Sequence, residues 1–349
     1  MRGFDWWLIV PVVLLISLGL LMLRSIAPGQ LLFQAGFAAV AIVIFFLIAL
    51  TDYQLFFSLQ LPTYIFSLIL LLLPFLFGLA SRGAHRWLQF GQFSLQPSEI
   101  VKPLMLVTFA VLASSQIKHK LIWLTAAFIP PAMLIFFQPD LGTMLVLAVG
   151  WLTVFLPLIS RKVLLLGILG VILMSPVTWW FLRDYQKDRL LTFVNPNTDP
   201  LGRGYQVIQS TIAVGSGQFW GKGLGQGTQS QLQFLPERQT DFMFATLAEE
   251  LGFVGAVTVI ALFSWLFVRI YYLAKKTSSL PANFFCLGVL AMLTFQVFIN
   301  VGMNIGLAPV TGITLPFLSY GGSSLVSLGI TLGLLVSISH QSRSLKIAD

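Results

Sequence analysis

A chain of 349 residues with 57% hydrophobic and only 9% charged side chains, at a mean hydropathy of +0.90, is not a soluble domain, where about a quarter of residues carry charge. Its formal charge of +8 sits on cations scattered among connecting loops, which argues against a nucleic-acid groove and fits membrane topology and anionic lipid. The one cysteine, Cys286, lies in an apolar run; it excludes an internal disulfide and offers no basis for a thiolate metal site or a cysteine redox centre.

In chain order, apolar runs long enough to cross a bilayer fall at about 7–24, 31–50, 62–80, 100–115, 121–138, 143–160, 163–181, 242–272, 283–305 and 318–339. The first, Trp6 to Leu23, has a small-x-small tripeptide after it (Ser25-Ile26-Ala27) that imitates a signal-peptide cleavage site. Its length, Arg24 beside that site and the many spans that follow make it an uncleaved first helix. The fourth is the least regular, because Glu99 and Lys102 occupy its first turns. The expected fold is therefore an all-α polytopic membrane protein, a single domain over 1–349 with about ten transmembrane helices. An even number of spans places both termini on one side. Arg2, Lys118, Lys120, Arg161, Lys162, Arg269, Lys275, Lys276, Arg343 and Lys346 lie on that side, against Arg24, Arg82 and Arg86 in the opposite short loops. The positive-inside rule makes the termini cytoplasmic. Nine of the twelve acidic residues then lie on or near the outer side.

Between the seventh and eighth helices runs an external segment, about 182–240, too long for a mere connector and neither Ser-rich nor repetitive. Within it Tyr205, Ile208, Ile212 and Gly215 share one helical face, which predicts a short amphipathic helix resting on the outer interface. Gly215, Gly217, Gly221, Gly223, Gly225 and Gly227 follow. They could present N–H groups to a phosphate, but their spacing matches neither the dinucleotide fingerprint nor the Walker loop.

The polar residues that matter cluster toward the outer side. Asp241 stands where the polar string before it enters the eighth span, and a carboxylate deep in hydrocarbon costs about 2.5–3.5 kcal/mol, so such residues are usually functional. With a helix starting near Thr240, Ala245, Ala248 and Gly252 follow Asp241 on one face, leaving a close contact or a groove below it. Simple helix capping by Thr240 or Asp241 is the alternative. Glu237 and Arg238 are immediate neighbours, and one of Glu249 and Glu250 is expected in a structural pair. Glu99 and Lys102 share a face at i,i+3: either an ion pair with a snorkelling lysine, or a cation open to a phosphate-bearing ligand. Asp140 gives a second external carboxylate. Gln296, Asn300 and Asn304 form a polar stripe that either glues helices or lines a wet cavity. His85, His119 and His340 are dispersed, against a histidine metal site.

SRGAHRW (81–87), QPSE (96–99), QPDLGT (138–143), LPERQTDFMFATLAEELG (235–252) and SYGGSS (319–324) together resemble the SEDS family of shape, elongation, division and sporulation proteins. The resemblance runs in order over nearly the whole chain, and FVNPNTDPLGRGYQVIQS and GTQSQLQFLPE look closest to its RodA branch. It implies a peptidoglycan glycosyltransferase in the bacterial inner membrane, active site outward, that polymerises lipid II during elongation with a divalent cation (Mg²⁺ or Mn²⁺) and a class B penicillin-binding protein. It implies Asp241 as the essential carboxylate, with Glu99, Lys102 and Asp140 lining the same cavity. Gln239 departs from the family, which commonly has His there, so a proton relay through that position is not expected.

The implied chemistry suits the residues. Joining the α-linked lipid diphosphate donor in a β-1,4 bond inverts the anomeric carbon. The acceptor 4-hydroxyl loses a proton as it attacks, a task for a carboxylate base, for which Asp241 is the candidate. Lys102, Arg238 beside Glu237, or the cation would steady the leaving undecaprenyl diphosphate. The rival readings are a lipid II flippase or other transporter, and a non-catalytic scaffold for the penicillin-binding protein.

Overall fold

The computed structural model describes residues 5–81, 84–91, 93–182, 184–202 and 204–344. Arg2, Arg82 and Lys346, part of the charge count above, lie outside them. In hydrocarbon a backbone must satisfy its own polar groups, so each long apolar run becomes a helix. In order these are α1 (Trp6–Ile26), α2 (Pro28–Ala49), the short α3 (Tyr53–Ser58), α4 (Gln60–Phe77), α5 (Pro97–Ser114), α6 (Lys120–Phe137), α7 (Leu141–Phe155) and α8 (Arg161–Phe181). The connecting segment that follows holds α9 (Asp184–Val194), α10 (Tyr205–Ser216) and α11 (Thr228–Gln231), before α12 (Met243–Lys276), α13 (Leu280–Asn304) and α14 (Gly322–Ser344). Among the described residues nine helices are long and apolar enough to cross a membrane, and α8 stands where the seventh expected span lies. Proline opens α2, α5 and α13, where a missing N–H costs nothing.

The helices differ in how much of them is wrapped by others. In α5 and α14, 72% and 78% of the spanning window is buried, against 17% in α2 and α4, so the first two form the middle of the bundle and the latter two its lipid-facing rim. Small residues let α14 approach α2: a Cβ at Gly322 would strike the Phe37 ring, at Gly329 the backbone of Ala41, and at Gly333 the side chain of Ile48. At the end of the bundle that carries the termini, wholly buried Asp5 ties three helices. It accepts from Arg269 Nη2 at 2.6 Å and from Ser339 Oγ at 2.9 Å.

Several features depart from the expectation. The α4–α5 connection contains an antiparallel sheet of β1 (Leu79–Ser81), β2 (Ala84–Phe90) and β3 (Phe93–Leu95), ordered β1-β2-β3. Its last strand, with Leu88 opposite Leu95, runs directly into α5 and so fixes where Glu99 and Lys102 begin. The last helix starts at Gly322 instead of 318; residues 305–321 before it are irregular and turn through positive φ at Gly306, Gly312 and Phe317. Helix α10 forms, but the face it packs inward is Val207, Ser210 and Ala213, while Ile212 from the predicted apolar face is exposed. Ser210 Oγ donates to the Asn304 carbonyl at 2.8 Å, so α10 is docked against the bundle.

Most consequential is the break in α12. Gly252 adopts φ 68, ψ −164, a conformation essentially confined to glycine, and the helix restarts after it. The face shared by Asp241, Ala245 and Ala248 therefore ends there. The Gly-rich segment crosses the break at backbone contact: a Cβ at Gly217 would strike the Ala248 carbonyl, and one at Gly221 the Glu250 carbonyl. Four main-chain bonds seal the crossing: Lys222 N to Glu249 O at 3.0 Å, Gly223 N to Glu250 O at 3.0 Å, Phe253 N to Gln218 O at 2.8 Å and Val254 N to Phe219 O at 3.3 Å. Gly217 and Gly221 serve this close packing.

Candidate active site

Asp241 arrives at its place through a tight turn. Glu237 takes a left-handed φ of 53, and its carbonyl accepts from Thr240 N at 3.1 Å and Phe242 N at 3.2 Å. Thr240 Oγ1 also donates to Glu237 Oε2 at 3.1 Å. The helix begins later than the sequence pattern predicts: its N-cap is Phe242 and its first residue Met243, so Asp241 stands one position outside the cap.

The peptide of Asp241 is gripped from α13. Its carbonyl accepts from Asn300 Nδ2 at 3.0 Å and from Asn304 Nδ2 at 3.1 Å, while Asn304 Oδ1 accepts from Ala245 N at 2.9 Å. Both asparagines are wholly buried. Two members of the predicted stripe thus act as glue between α13 and the start of α12, and both clamp the Asp241 peptide. On the other side, Ser319 Oγ donates to the Thr240 carbonyl at 2.6 Å and Tyr320 N to the Gln239 carbonyl at 2.8 Å. The Asp241 side chain is half-buried beside Gly312, where an added Cβ would lie 3.7 Å from Oδ2. Bonds to both flanking carbonyls fix the chain on either side of this carboxylate.

Glu99 and Lys102 occupy a second place. Lys102 Nζ donates to Glu99 Oε1 at 2.8 Å and Oε2 at 2.9 Å, with both residues buried. The ion pair of the bland alternative is present. It also lines a cavity, with Gln296 of α13 and Ser324 and Ser327 of α14. Gln296 precedes Asn300 by four residues, which puts this cavity about 6 Å farther along α13 from the first clamp on Asp241.

Asp140 caps α7, accepting from Thr143 N at 3.2 Å, and its other oxygen takes Gln96 Nε2 at 2.6 Å and Ser98 Oγ at 3.1 Å. It is buried and engaged by the residues that open α5. Segment 305–321 joins it to Asp241: a Cβ at Gly142 would press on the Ile313 side chain, next to Gly312 at Asp241. Gln96 N donates to Ser323 Oγ at 2.8 Å. Arg238 points elsewhere. Its Nη2 donates to the Ile26 carbonyl at the end of α1, at 3.1 Å, and burial lowers its pKa. Of the expected set, Glu99 and Lys102 share one cavity, whose lining includes neither Asp140 nor Asp241; Asp140 and Asp241 each adjoin segment 305–321, Glu237 forms the turn before Asp241, and Arg238 reaches toward α1.

Neither deeper acid joins them. Glu249, wholly buried, accepts from Lys222 Nζ at 3.0 Å, Gln229 N at 2.9 Å and Ser230 N at 3.0 Å. Glu250 accepts from Ser25 Oγ at 2.7 Å and Gln231 Nε2 at 3.0 Å. Sequence reasoning expected one structural pair and the structure has two such anchors. What the sequence reading missed is segment 305–321; its signals were Gly306 and Gly312 between two spans, and a polar Ser319-Tyr320 next to them.

No group of three or more His, Cys, Asp or Glu side chains converges among the described residues. That does not fit a metal held by protein alone. A hard cation that takes one or two carboxylates and completes its shell with water and phosphate oxygens would need no such group.

The family model for cell cycle proteins of the FtsW, RodA and SpoVE type matches residues 3–344, and the chain belongs to this family. It is 43% identical over 282 residues to the peptidoglycan glycosyltransferase MrdB of Escherichia coli strain K12, covering 79% of this chain and 76% of the relative. It superposes on a chain of a peptidoglycan synthase complex, solved for its coordination of polymerization and crosslinking, with a TM-score of 0.84 and 34% identity over 98% of this chain and 99% of the other. On the rod shape determining protein RodA of Thermus thermophilus the TM-score is 0.72 at 30% identity, over 98% of both chains.

Proposed function

We propose that this member of the family is a peptidoglycan glycosyltransferase that polymerises lipid II, with Asp241 as general base. The observation that carries the assignment of Asp241 is the double asparagine grip on its own carbonyl. A carboxylate needed only to cap a helix has no use for two buried amides holding its peptide in register, whereas a base must sit within hydrogen-bond reach of the proton it removes. In this reading the acceptor 4-hydroxyl lies against Asp241 and gives it a proton as the oxygen attacks the anomeric carbon of the donor. The bond to the lipid diphosphate breaks on the opposite face, and configuration inverts.

The leaving diphosphate develops negative charge. Lys102 is a buried cation lining a cavity, and its partner Glu99 holds the ammonium in place until a phosphate competes for it. A divalent cation, when bound, would supply further positive charge to the diphosphate, and Glu237, a turn from Asp241, would hold it. Polyprenyl chains run along the lipid-facing helices, and the site faces outward with both termini in the cytoplasm. A class B penicillin-binding protein receives the strand.

A carrier would require an open broken helix for its cargo. The break at Gly252 is instead filled by residues 217–223, which take up main-chain groups on both its sides.

The test is polymerisation of labelled lipid II by purified protein with its partner and Mn²⁺, for wild type and Asp241→Asn. Glycan strands from wild type and none from the folded variant are expected. Equal product from both removes Asp241 from the mechanism and turns attention to Asp140 and Glu99.

A further inference from the structure

At the end of the bundle that carries the termini, α1 and α12 part and leave a groove lined by Trp7, Trp265, Val268, Arg269 and Tyr272. Trp7, Val268 and Tyr272 are each more than half exposed, at 63%, 68% and 52%. The rings of Trp7 and Trp265 lie 5.7 Å apart, and the Arg269 guanidinium stands 5.1 Å over the Tyr272 ring.

On α12, Trp265, Val268, Arg269, Tyr272 and Lys276 follow at i, i+3, i+4, i+7 and i+11, which is one helical stripe. Along its length Trp265 and Val268 lie toward the middle of the bundle, and Arg269, Tyr272 and Lys276 follow toward the helix end. From Trp265 to Lys276 the rise is about 16 Å, close to the hydrocarbon depth of one leaflet. Acyl chain followed by phosphate is the same order.

The cations are also prepared for an anion. Arg269 Nε and Nη2 both donate to Asp5, at 2.9 Å and 2.6 Å. A guanidinium is planar and rigid, so pairing on one edge fixes where its remaining Nη points, on the edge away from Asp5. Asp5 offsets only one charge of the three on Arg269, Lys275 and Lys276. The rim stays cationic, and a zwitterionic headgroup would bring its ammonium against it.

We propose that this groove is a binding site for one anionic glycerophospholipid, its acyl chain along Trp7, Trp265 and Val268 and its phosphate at Arg269 and Lys276. The site is independent of the glycan chemistry at the other end of the bundle.

The experiment uses the purified full chain in detergent, titrated with phosphatidylglycerol or phosphatidylcholine carrying brominated chains, with tryptophan quenching as the readout. The double variant Trp7→Phe/Trp265→Phe isolates the signal of the groove by difference. Expected is saturable quenching of that component at lower mole fraction of phosphatidylglycerol than of phosphatidylcholine. Lys276→Gln should weaken the preference about fivefold, while Lys162→Gln, an exposed cation in the first turn of α8 at the same end, leaves it unchanged. Equal quenching by the two lipids overturns the site. So does an equal loss with Lys162→Gln, which would mean diffuse attraction, and so does a polyprenyl phosphate retained there in a native mass spectrum.

Discussion

Asp241 and Glu249 lie eight residues apart on the same stretch of chain, and the fold holds them in opposite ways. Around Glu249 the grip is on the carboxylate: an ammonium and two backbone N–H groups converge on a wholly buried side chain. Around Asp241 it is on the peptide, through Asn300 and Asn304, while the side chain stands half-buried at Gly312. An acid gripped by its carboxylate anchors a loop. An acid gripped by its backbone is aimed.

That contrast breaks most sharply on charge removal. Asp241→Asn keeps the volume and the peptide clamps, so thermal unfolding in detergent should be unchanged. Polymerisation should fall by about 10²–10⁴-fold, the usual contribution of a general base. Glu249→Gln should reverse the pattern. Losing a charged acceptor for Gln229 N, Ser230 N and Lys222 costs about 1–3 kcal/mol, seen as a lower unfolding midpoint, with turnover per folded molecule kept. Lost turnover at full stability in Glu249→Gln would place that acid in the chemistry and undo the comparison.

The buried Glu99–Lys102 pair sharpens it further. Lys102→Met leaves Glu99 uncompensated, and removing one partner of a buried pair typically costs about 3–5 kcal/mol. The double variant Glu99→Gln/Lys102→Met should regain most of that stability. If Lys102 meets the diphosphate, the double variant remains inactive. Restored polymerisation would show the pair to be packing alone.

Gly252→Ala probes the crossing that holds Lys222 against Glu249. Its φ/ψ suits only glycine, at about 1–3 kcal/mol for another residue, and the new Cβ would strike Gly221 N as well. Expected is a marked drop in the unfolding midpoint, and faster proteolysis within 217–231 than in wild type.

The spans were legible because bilayer thickness imposes a length that composition alone reveals. Even the irregular fourth run formed α5, with Glu99 and Lys102 satisfying each other. Asp241, Asp140 and the Glu99–Lys102 pair were legible as polar exceptions in that pattern. The break at Gly252 left only an indirect trace: a run of about 242–272 exceeds the roughly 20 residues a span needs. The sheet over 79–95 and the hub at 305–321 left almost none. Many of their bonds are made by backbone groups, as in Tyr320 N to Gln239 O, and every sequence carries the same backbone. The inward face of α10 was misread for a related reason: the partner it meets is the Asn304 carbonyl, which favours small Ser210 over the larger apolar residues.

The smallest expected effect tests how far aiming depends on segment 305–321. Ser319 Oγ accepts from Leu315 N at 2.9 Å and donates to the Thr240 carbonyl at 2.6 Å. Ser319→Ala removes both bonds and strands two groups near the turn, a loss of about 1–2 kcal/mol. The Asp241 carbonyl keeps both asparagine donors, so the carboxylate should shift little and polymerisation should fall no more than a few-fold. Asn304→Ala removes one of those donors and the cap on Ala245 N as well, and should lower turnover more than Ser319→Ala does at matched unfolding midpoint. Were Ser319→Ala the more damaging of the two, the positioning of Asp241 would belong to segment 305–321, and α13 would serve only to hold the bundle together.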